Sequence, residues 1–180
     1  MMSLTSRDVN PDEIVLPTLK YGYCETPLQW QEIQQIVLVE HDFDRLTRSA
    51  SQQRQYELSK RAILREWASM LDYVLCTKFN LPSELQEGLK RVVRNDGDNT
   101  TLPRTALVRN DFPYCFEESV QHWILWKLGA DCTVEDIQKA KKELQSQLLV
   151  QDMLHWVNPP RLQSLPGIDH VHILVLVQGS

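Results

Sequence analysis

The stretch His170-Val171-His172-Ile173-Leu174-Val175-Leu176-Val177 decides how the rest of the chain is read. It holds no glycine, proline or carboxylate, and every second residue is β-branched. β-Branched side chains lose χ1 freedom on a helix and pack well on a pleated surface. The run therefore reads as a strand covered on both faces. Side chains on a strand alternate, so His170, His172, Leu174 and Leu176 share one face. Val171, Ile173, Val175 and Val177 take the other.

A buried strand needs neighbours for its N–H and C=O groups. Working back along the chain, Thr105–Val108 and Gln121–Trp126 (QHWILW) read as strands. The turn Asn110-Asp111-Phe112-Pro113 follows the first of them. Thr133-Val-Glu-Asp136 is a capping box with Asp in place of Glu, opening a helix to about Leu149. Met153–Val157 is a further short strand, and the segment NPPRLQSLPGID at 158–169 is a loop.

The front half is helical. Thr26 is read as an N-cap with Pro27 at the first helical position, and Trp30, Ile33, Val37 and Leu38 as the apolar side. A polar stretch with a turn or short helix around Asp44–Arg48 follows. Tyr56, Ile63, Trp67, Met70, Leu71, Val74 and Leu75 recur at helical spacing, which predicts one long helix over Ser51–Lys78. Pro82 restarts a short helix over Ser83–Val93, and 94–103 is a loop. The expected fold is α+β: a helical layer (26–93) packed on an antiparallel β-β-α-β unit (104–177), forming a single domain over 26–180 behind an N-terminal arm at 1–25.

Composition bounds the function. The chain has 180 residues and a net charge of −5, with a pI near 5.5. The acidic balance argues against a nucleic-acid protein, which normally carries a basic face. No apolar run approaches the ~20 residues of a membrane helix, and MMSLTSRDVN carries no apolar export signal. A cytoplasmic protein is expected, with the nucleus not excluded. Cys24, Cys76, Cys115 and Cys132 lie apart, with neither a disulfide framework nor zinc spacing. No cofactor is implied.

His170 and His172 are the candidate chemistry. Paired imidazoles can bind a metal, act as nucleophile and helper, or close a sheet edge with hydrogen bonds, the last being the commoner fate of His-x-His on a strand. The loop just upstream raises the functional reading. Asn158, Arg161, Gln163 and Ser164 offer amide, guanidinium and hydroxyl donors suited to an anionic oxygen. A metal at His170 and His172 with Asp111 or Glu117 ranks below phosphate chemistry, because no spacing fixes the third ligand.

Several segments resemble known families. TALVRNDFPYCFEESVQHWILWK, TVEDIQKA and NPPRLQSLPGIDHVHIL are similar to the nucleotide-binding hairpin, following helix and loop-and-histidine segment of the histidine-triad superfamily, which includes nucleotidyl hydrolases and transferases. That resemblance implies His172 as the nucleophile on an α-phosphate and His170 as the first histidine. It implies Ser164 and Asn158 as phosphate-loop contacts, and Asn110 and Asp111 as the nucleoside-contacting turn. Lys127 falls near a lysine that ends the second strand. The pattern departs at Leu174, where the superfamily has His or Gln, and at Pro159, Pro160 and Pro166, which remove N–H donors from a normally glycine-rich loop. RLTRSASQQRQY, NDFPYCFEESVQHWILW and NPPRLQSLPGIDHVHI resemble, over nearly the full length, the fungal N-acetylglucosamine-induced protein family. This implies a link to amino-sugar metabolism and no assigned reaction.

The expectation is thus a histidine-triad-like hydrolase or transferase acting on a nucleotide or phosphorylated sugar. His172 and His170 would be catalytic, with Ser164, Asn158, Asn110, Asp111, Arg161 and Lys127 binding substrate. The alternatives are a non-catalytic ligand- or partner-binding descendant, favoured by Leu174, and an acid/base enzyme on a non-phosphate metabolite. The partner expected is a small phosphate or nucleotide, with no nucleic acid and no membrane; a homodimer is left open. Arg45, Arg48 and Arg54 are read as a solvated face rather than an anion clamp. Trp123 and Trp126 fall on opposite faces of their strand, with His122 on the side of Trp126. His155 is read as a surface or satisfied histidine, and Tyr114 as closing the turn.

Overall fold

A computed structural model describes residues 14–94 and 103–178. The elements in order are α1 (Trp30–Gln34, continued by a π turn over Gln35–Glu40), a 3-10 turn at Phe43–Arg45, α2 (Ala50–Glu66), α3 (Met70–Lys78), β1 (Ser83–Gln86), β2 (Lys90–Val93), β3 (Arg104–Arg109), β4 (Val120–Leu128), α4 (Val134–Gln147), β5 (Val150–Trp156) and β6 (Asp169–Val177). The fold is α+β. Four strands form an antiparallel sheet in the order β3-β4-β6-β5, and β1 and β2 form a separate hairpin. The long strand β6 is central, pairing with β4 on one side and β5 on the other. Among the described residues no helix is long and apolar enough to cross a membrane.

Alternation along β6 sets up two unlike layers. Val171, Ile173 and Val175 pack with Leu125 of β4 and with Ala140 and Leu144 of α4. α4 is held to this face by its Thr133 N-cap, whose Oγ1 accepts from Asp136 N at 3.2 Å. On the opposite face the front half of the chain forms two apolar clusters. One joins Trp30, Ile33, Ile36 and Val37 to Leu154, Trp156 and Leu174. The other joins Val74, Phe79 and Leu81 to Ile168. His170 and His172 lie on this same face of β6.

Three helical expectations are corrected. α1 starts at Trp30, not at Pro27, because Leu28 first runs beside Phe116: Leu28 N–H donates to Cys115 O at 3.0 Å and Glu117 N–H to Leu28 O at 3.1 Å. Glu117 then accepts from Trp30 N–H at 2.7 Å, capping the helix from outside. The single helix expected over 51–78 is two. Trp67 turns extended and Ser69 caps α3, its Oγ accepting from Asp72 N–H at 3.0 Å. The break lets Trp67 bury beside the Tyr73 ring, with centroids 5.9 Å apart. Residues 83–93 form a hairpin, not a helix. Glu87 and Gly88 turn it with φ of 51° and 71°, a left-handed pair that glycine makes easy. Behind the loop the order is β-β-α-β-β, because the segment at Met153 is a full strand. The expected arm and the loop at 94–103 lie partly outside the described residues, at 1–13 and 95–102.

Candidate functional site

Between the two apolar clusters, the His170 face of the sheet carries a cavity of about 170 Å³. Strand pairing positions its base. Trp126 of β4 lies opposite His170, Ile124 opposite His172, and Trp156 of β5 flanks His172 from the other side. All three histidines on this face are buried: His122 is 3% exposed, His170 5% and His172 6%. Asn158, Tyr114, Phe112, Asn110 and the front-half residues Arg48, Tyr56 and Val74 complete the wall.

A directed hydrogen-bond chain runs through the base. The Trp156 indole N–H can only donate, and it donates to Asn158 Oδ1 at 2.9 Å. That fixes the Asn158 amide, so its Nδ2 donates to His172 Nε2 at 3.0 Å and to Tyr114 Oη at 3.2 Å. With Nε2 accepting, a neutral His172 carries its proton on Nδ1, which donates to His122 Nε2 at 2.9 Å. Both nitrogens of His172 are therefore engaged, and its ring lies parallel to Trp156 at 4.8 Å. His170 differs. Its Nδ1 donates to the Ile168 carbonyl at 3.2 Å, which leaves the Nε2 lone pair without a protein partner among the described residues. The Trp126 ring packs on it at 4.7 Å.

Burial keeps these imidazoles neutral, since desolvation disfavours the charged form. It pushes His122 down to about 3, and the Arg48 cation adds to the effect. His172 lies well below its ordinary value of 6.5 through burial, then His122, His170 and Arg48. His170 is lowered by burial, opposed by its bond to Ile168 and by Asp169.

Positive charge lines the rest. Arg48, Lys60, Lys78 and Arg109 face the cavity with a single carboxylate, Asp111. Lys78 Nζ donates to Asp111 at 2.6 Å. Arg48 is wedged between Tyr56 and Tyr114, 4.5 and 5.3 Å from their ring centroids. Its Nε and Nη2 donate to the Phe112 carbonyl at 3.1 and 2.8 Å. This rim is cationic although the whole chain is acidic, so the charge is local and aimed.

The structure gathers His170, His172, Asn158, Ser164, Asn110 and Asp111 around one cavity. It does not bring Lys127 or Arg161 to it. Lys127 lies on the α4 side of β4 and pairs with Asp136. Arg161 points outward and pairs with Asp44 at 2.5 Å. The solvated reading of Arg48 is overturned, because its partners Tyr114 and Phe112 arrive from a distant turn. Arg45 pairs with Glu40, and Arg54 is exposed. Tyr114 does more than close a turn, and His122, placed by parity on the Trp126 side, joins the chain directly. His155 is exposed. Leu174, the third position of the histidine run, is fully buried in the apolar cluster with Trp30 and Leu154. Asp111 and Glu117 are tied to Lys78 and Trp30, and among the described residues no three His, Cys, Asp or Glu side chains cluster to hold a metal.

These features define a mixed helix-and-sheet protein with a buried imidazole chain beneath a cationic cleft on one face of its sheet. The chain belongs to the family described as Protein of unknown function (DUF3605), which matches residues 29–176. It is 31% identical over 162 residues to uncharacterized protein YPL067C of Saccharomyces cerevisiae, covering 82% of this chain and 78% of that one. It is 26% identical over 174 residues to N-acetylglucosamine-induced protein 1 of Candida albicans, covering 83% and 68%. The crystal structure of HTC1 superposes with a TM-score of 0.53 at 23% identity, over 83% of this chain and 85% of that one, a likeness of fold alone.

Proposed function

We propose that the cavity binds a small phosphate-bearing metabolite, a nucleotide or phosphorylated sugar, and acts on it at phosphorus by hydrolysis or group transfer. His170 is the nucleophile or acid/base. The observation that carries this reading is the His170 ring: neutral, held through Nδ1 by a backbone carbonyl, and with its Nε2 lone pair unspent beneath four cations. A base held this way is poised for attack or proton transfer. The reading moves the reacting nitrogen from His172 to its neighbour, since both nitrogens of His172 are already bonded. Ser164, Asn110 and Asp111 remain as ligand contacts, while Asn158, its amide spent on Trp156, His172 and Tyr114, orients the base of the site. The same reading takes residues 104–177 as a histidine-triad-like unit inside one domain, supported by the β-β-α-β-β order and by two imidazoles on one face of β6. The name of the Candida relative links that protein to an amino sugar, so amino-sugar phosphates head the list of ligands.

Leu174 favours a second reading, a site that binds without catalysing. Its burial removes the third side chain of the run from the cavity. Calorimetric titration and turnover assays with glucosamine 6-phosphate, UDP-N-acetylglucosamine, AMP and GMP separate the two. Turnover that falls about 10²–10⁴-fold in His170→Ala supports the catalytic reading. Binding without turnover supports the second. Wild-type turnover in His170→Ala removes His170 from the chemistry.

A further inference from the structure

The Asn158 amide is a hub whose directions follow from chemistry. Trp156 can only donate, so Asn158 Oδ1 must face it and Nδ2 must face away. Both Nδ2 hydrogens are then spent, one on His172 Nε2 and one on Tyr114 Oη. Tyr114 Oη is therefore an acceptor within the protein. Its own O–H hydrogen meets no acceptor among the described residues, yet Tyr114 lines the cavity. Its ring is locked by Arg48 on one side, 5.3 Å from the centroid, and by Phe116 and the His122 and His172 rings around it. A phenol so placed is a rigid donor, aimed by its partners and left unspent. His170 lines the same cavity, its ring centroid 5.4 Å from that of His172, and its Nε2 is an acceptor without a protein partner among the described residues.

We infer that Tyr114 is a ligand-binding residue whose O–H donates to an anionic oxygen of the bound group, with His170 Nε2 addressing the same group. This rests on the phosphate reading above and extends it. The paired donor and acceptor read a phosphoryl group, and the four cations supply the long-range attraction. His172 and Asn158 are positioning residues: they consume each other's hydrogen-bonding capacity and so free the Tyr114 hydrogen for the ligand.

Two measurements on the 180-residue chain test this. The first needs no ligand. ¹⁵N chemical shifts of the histidine rings report tautomers, and His172 is expected as the neutral Nδ1–H form. An Nε2–H form of His172 would turn Asn158 Nδ2 away from it and overturn the inference whatever the site binds. The second is calorimetric titration of wild type, Tyr114→Phe and His170→Ala with inorganic phosphate and with AMP. Loss of one hydrogen bond to a charged group predicts binding weaker by about 10-fold or more in Tyr114→Phe for both probes, with an unchanged melting profile showing that the fold is kept. Tyr114→Phe binding within twofold of wild type, while His170→Ala loses affinity, sinks the role of Tyr114 and leaves the phosphate reading standing. Failure of wild type to bind either probe removes the phosphate reading and this inference with it.

Discussion

The two faces of β6 are built from adjacent residues and follow different rules. Val171, Ile173 and Val175 face α4 and are fully buried among leucine and alanine side chains. His170 and His172 point the other way and are nearly as buried, among tryptophan, tyrosine and asparagine. The α4 face needs only volume, since apolar packing has no direction. The histidine face needs direction, because a buried polar atom left unpaired costs roughly 1–3 kcal/mol. From the indole of Trp156 the donor and acceptor roles pass through Asn158 to His172 and His122, and the Ile168 carbonyl sets those of His170. Among the described residues His170 Nε2 and the Tyr114 hydrogen meet no hydrogen-bonding partner, and both belong to residues that line the cavity. A protein that required only a closed sheet could have continued the valine and leucine pattern of 173–177 up to residue 170.

The largest effect that tests this contrast is a cavity on the closed face. Ile173→Ala, at a site with no exposure, should cost about 2–5 kcal/mol of stability by urea denaturation, through lost transfer and an unfilled void. Ligand affinity per folded molecule should not change. A selective loss of affinity at unchanged stability would show that the two faces are coupled through the strand.

Acid should attack the other face. His122 is neutral when folded, with a pKa near 3, against 6.5 for an ordinary histidine. The unfolded chain therefore binds the extra proton first as pH falls. The contribution of the buried neutral ring is intact above pH 6.5 and is lost as pH drops toward about 3, at up to ~1.4 kcal/mol per pH unit for each such histidine. His172 and His170 shift in the same direction. Chemical denaturation between pH 7 and pH 4 should show stability falling, and His122→Leu should flatten that slope. A flat wild-type profile over this range would mean the rings are hydrated and the chain is not as drawn.

The sequence made one of these faces far more legible than the other. The β-branched alternation of 170–177 and the capping box at Thr133 are local signals, and both elements formed where they were expected. Parity alone put His122, Trp126, His170 and His172 on a common side. The roles within that side were not readable, because they depend on Asn158 meeting Tyr114, 44 residues away. Arg48 was misread for the same reason: nothing near it in sequence says that Tyr114 and the Phe112 carbonyl will enclose it. The helix break at Ser69 did leave a local trace, Ser69-x-x-Asp72, hidden inside an apolar stripe that runs straight across it. The hairpin at 83–93 was hidden by Pro82, which suits the start of either element, and Glu87-Gly88 is a weaker turn signal than Asn-Gly.

Lys127 gives the smallest and most discriminating prediction. Its position at the end of β4 suggested a ligand contact, yet strand parity turns it away from the cavity, toward Asp136 at the N-terminus of α4. Lys127 is the leading cause of the lowered Asp136 pKa, followed by the Thr133 backbone N–H. In Lys127→Met the Asp136 carboxylate keeps its bonds from Thr133 N–H at 2.8 Å and Thr133 Oγ1 at 2.9 Å. It is not orphaned, and the methionine still fills the apolar path of the lysine stem. Because the lysine is buried while Asp136 keeps two partners, the expected cost is about 1–3 kcal/mol in denaturant, with affinity for inorganic phosphate within twofold of wild type. A tenfold loss of phosphate affinity would mean that charge on the α4 side reaches the ligand through the sheet. The division between a face that packs and a face that binds would then have to be redrawn around β4 rather than β6.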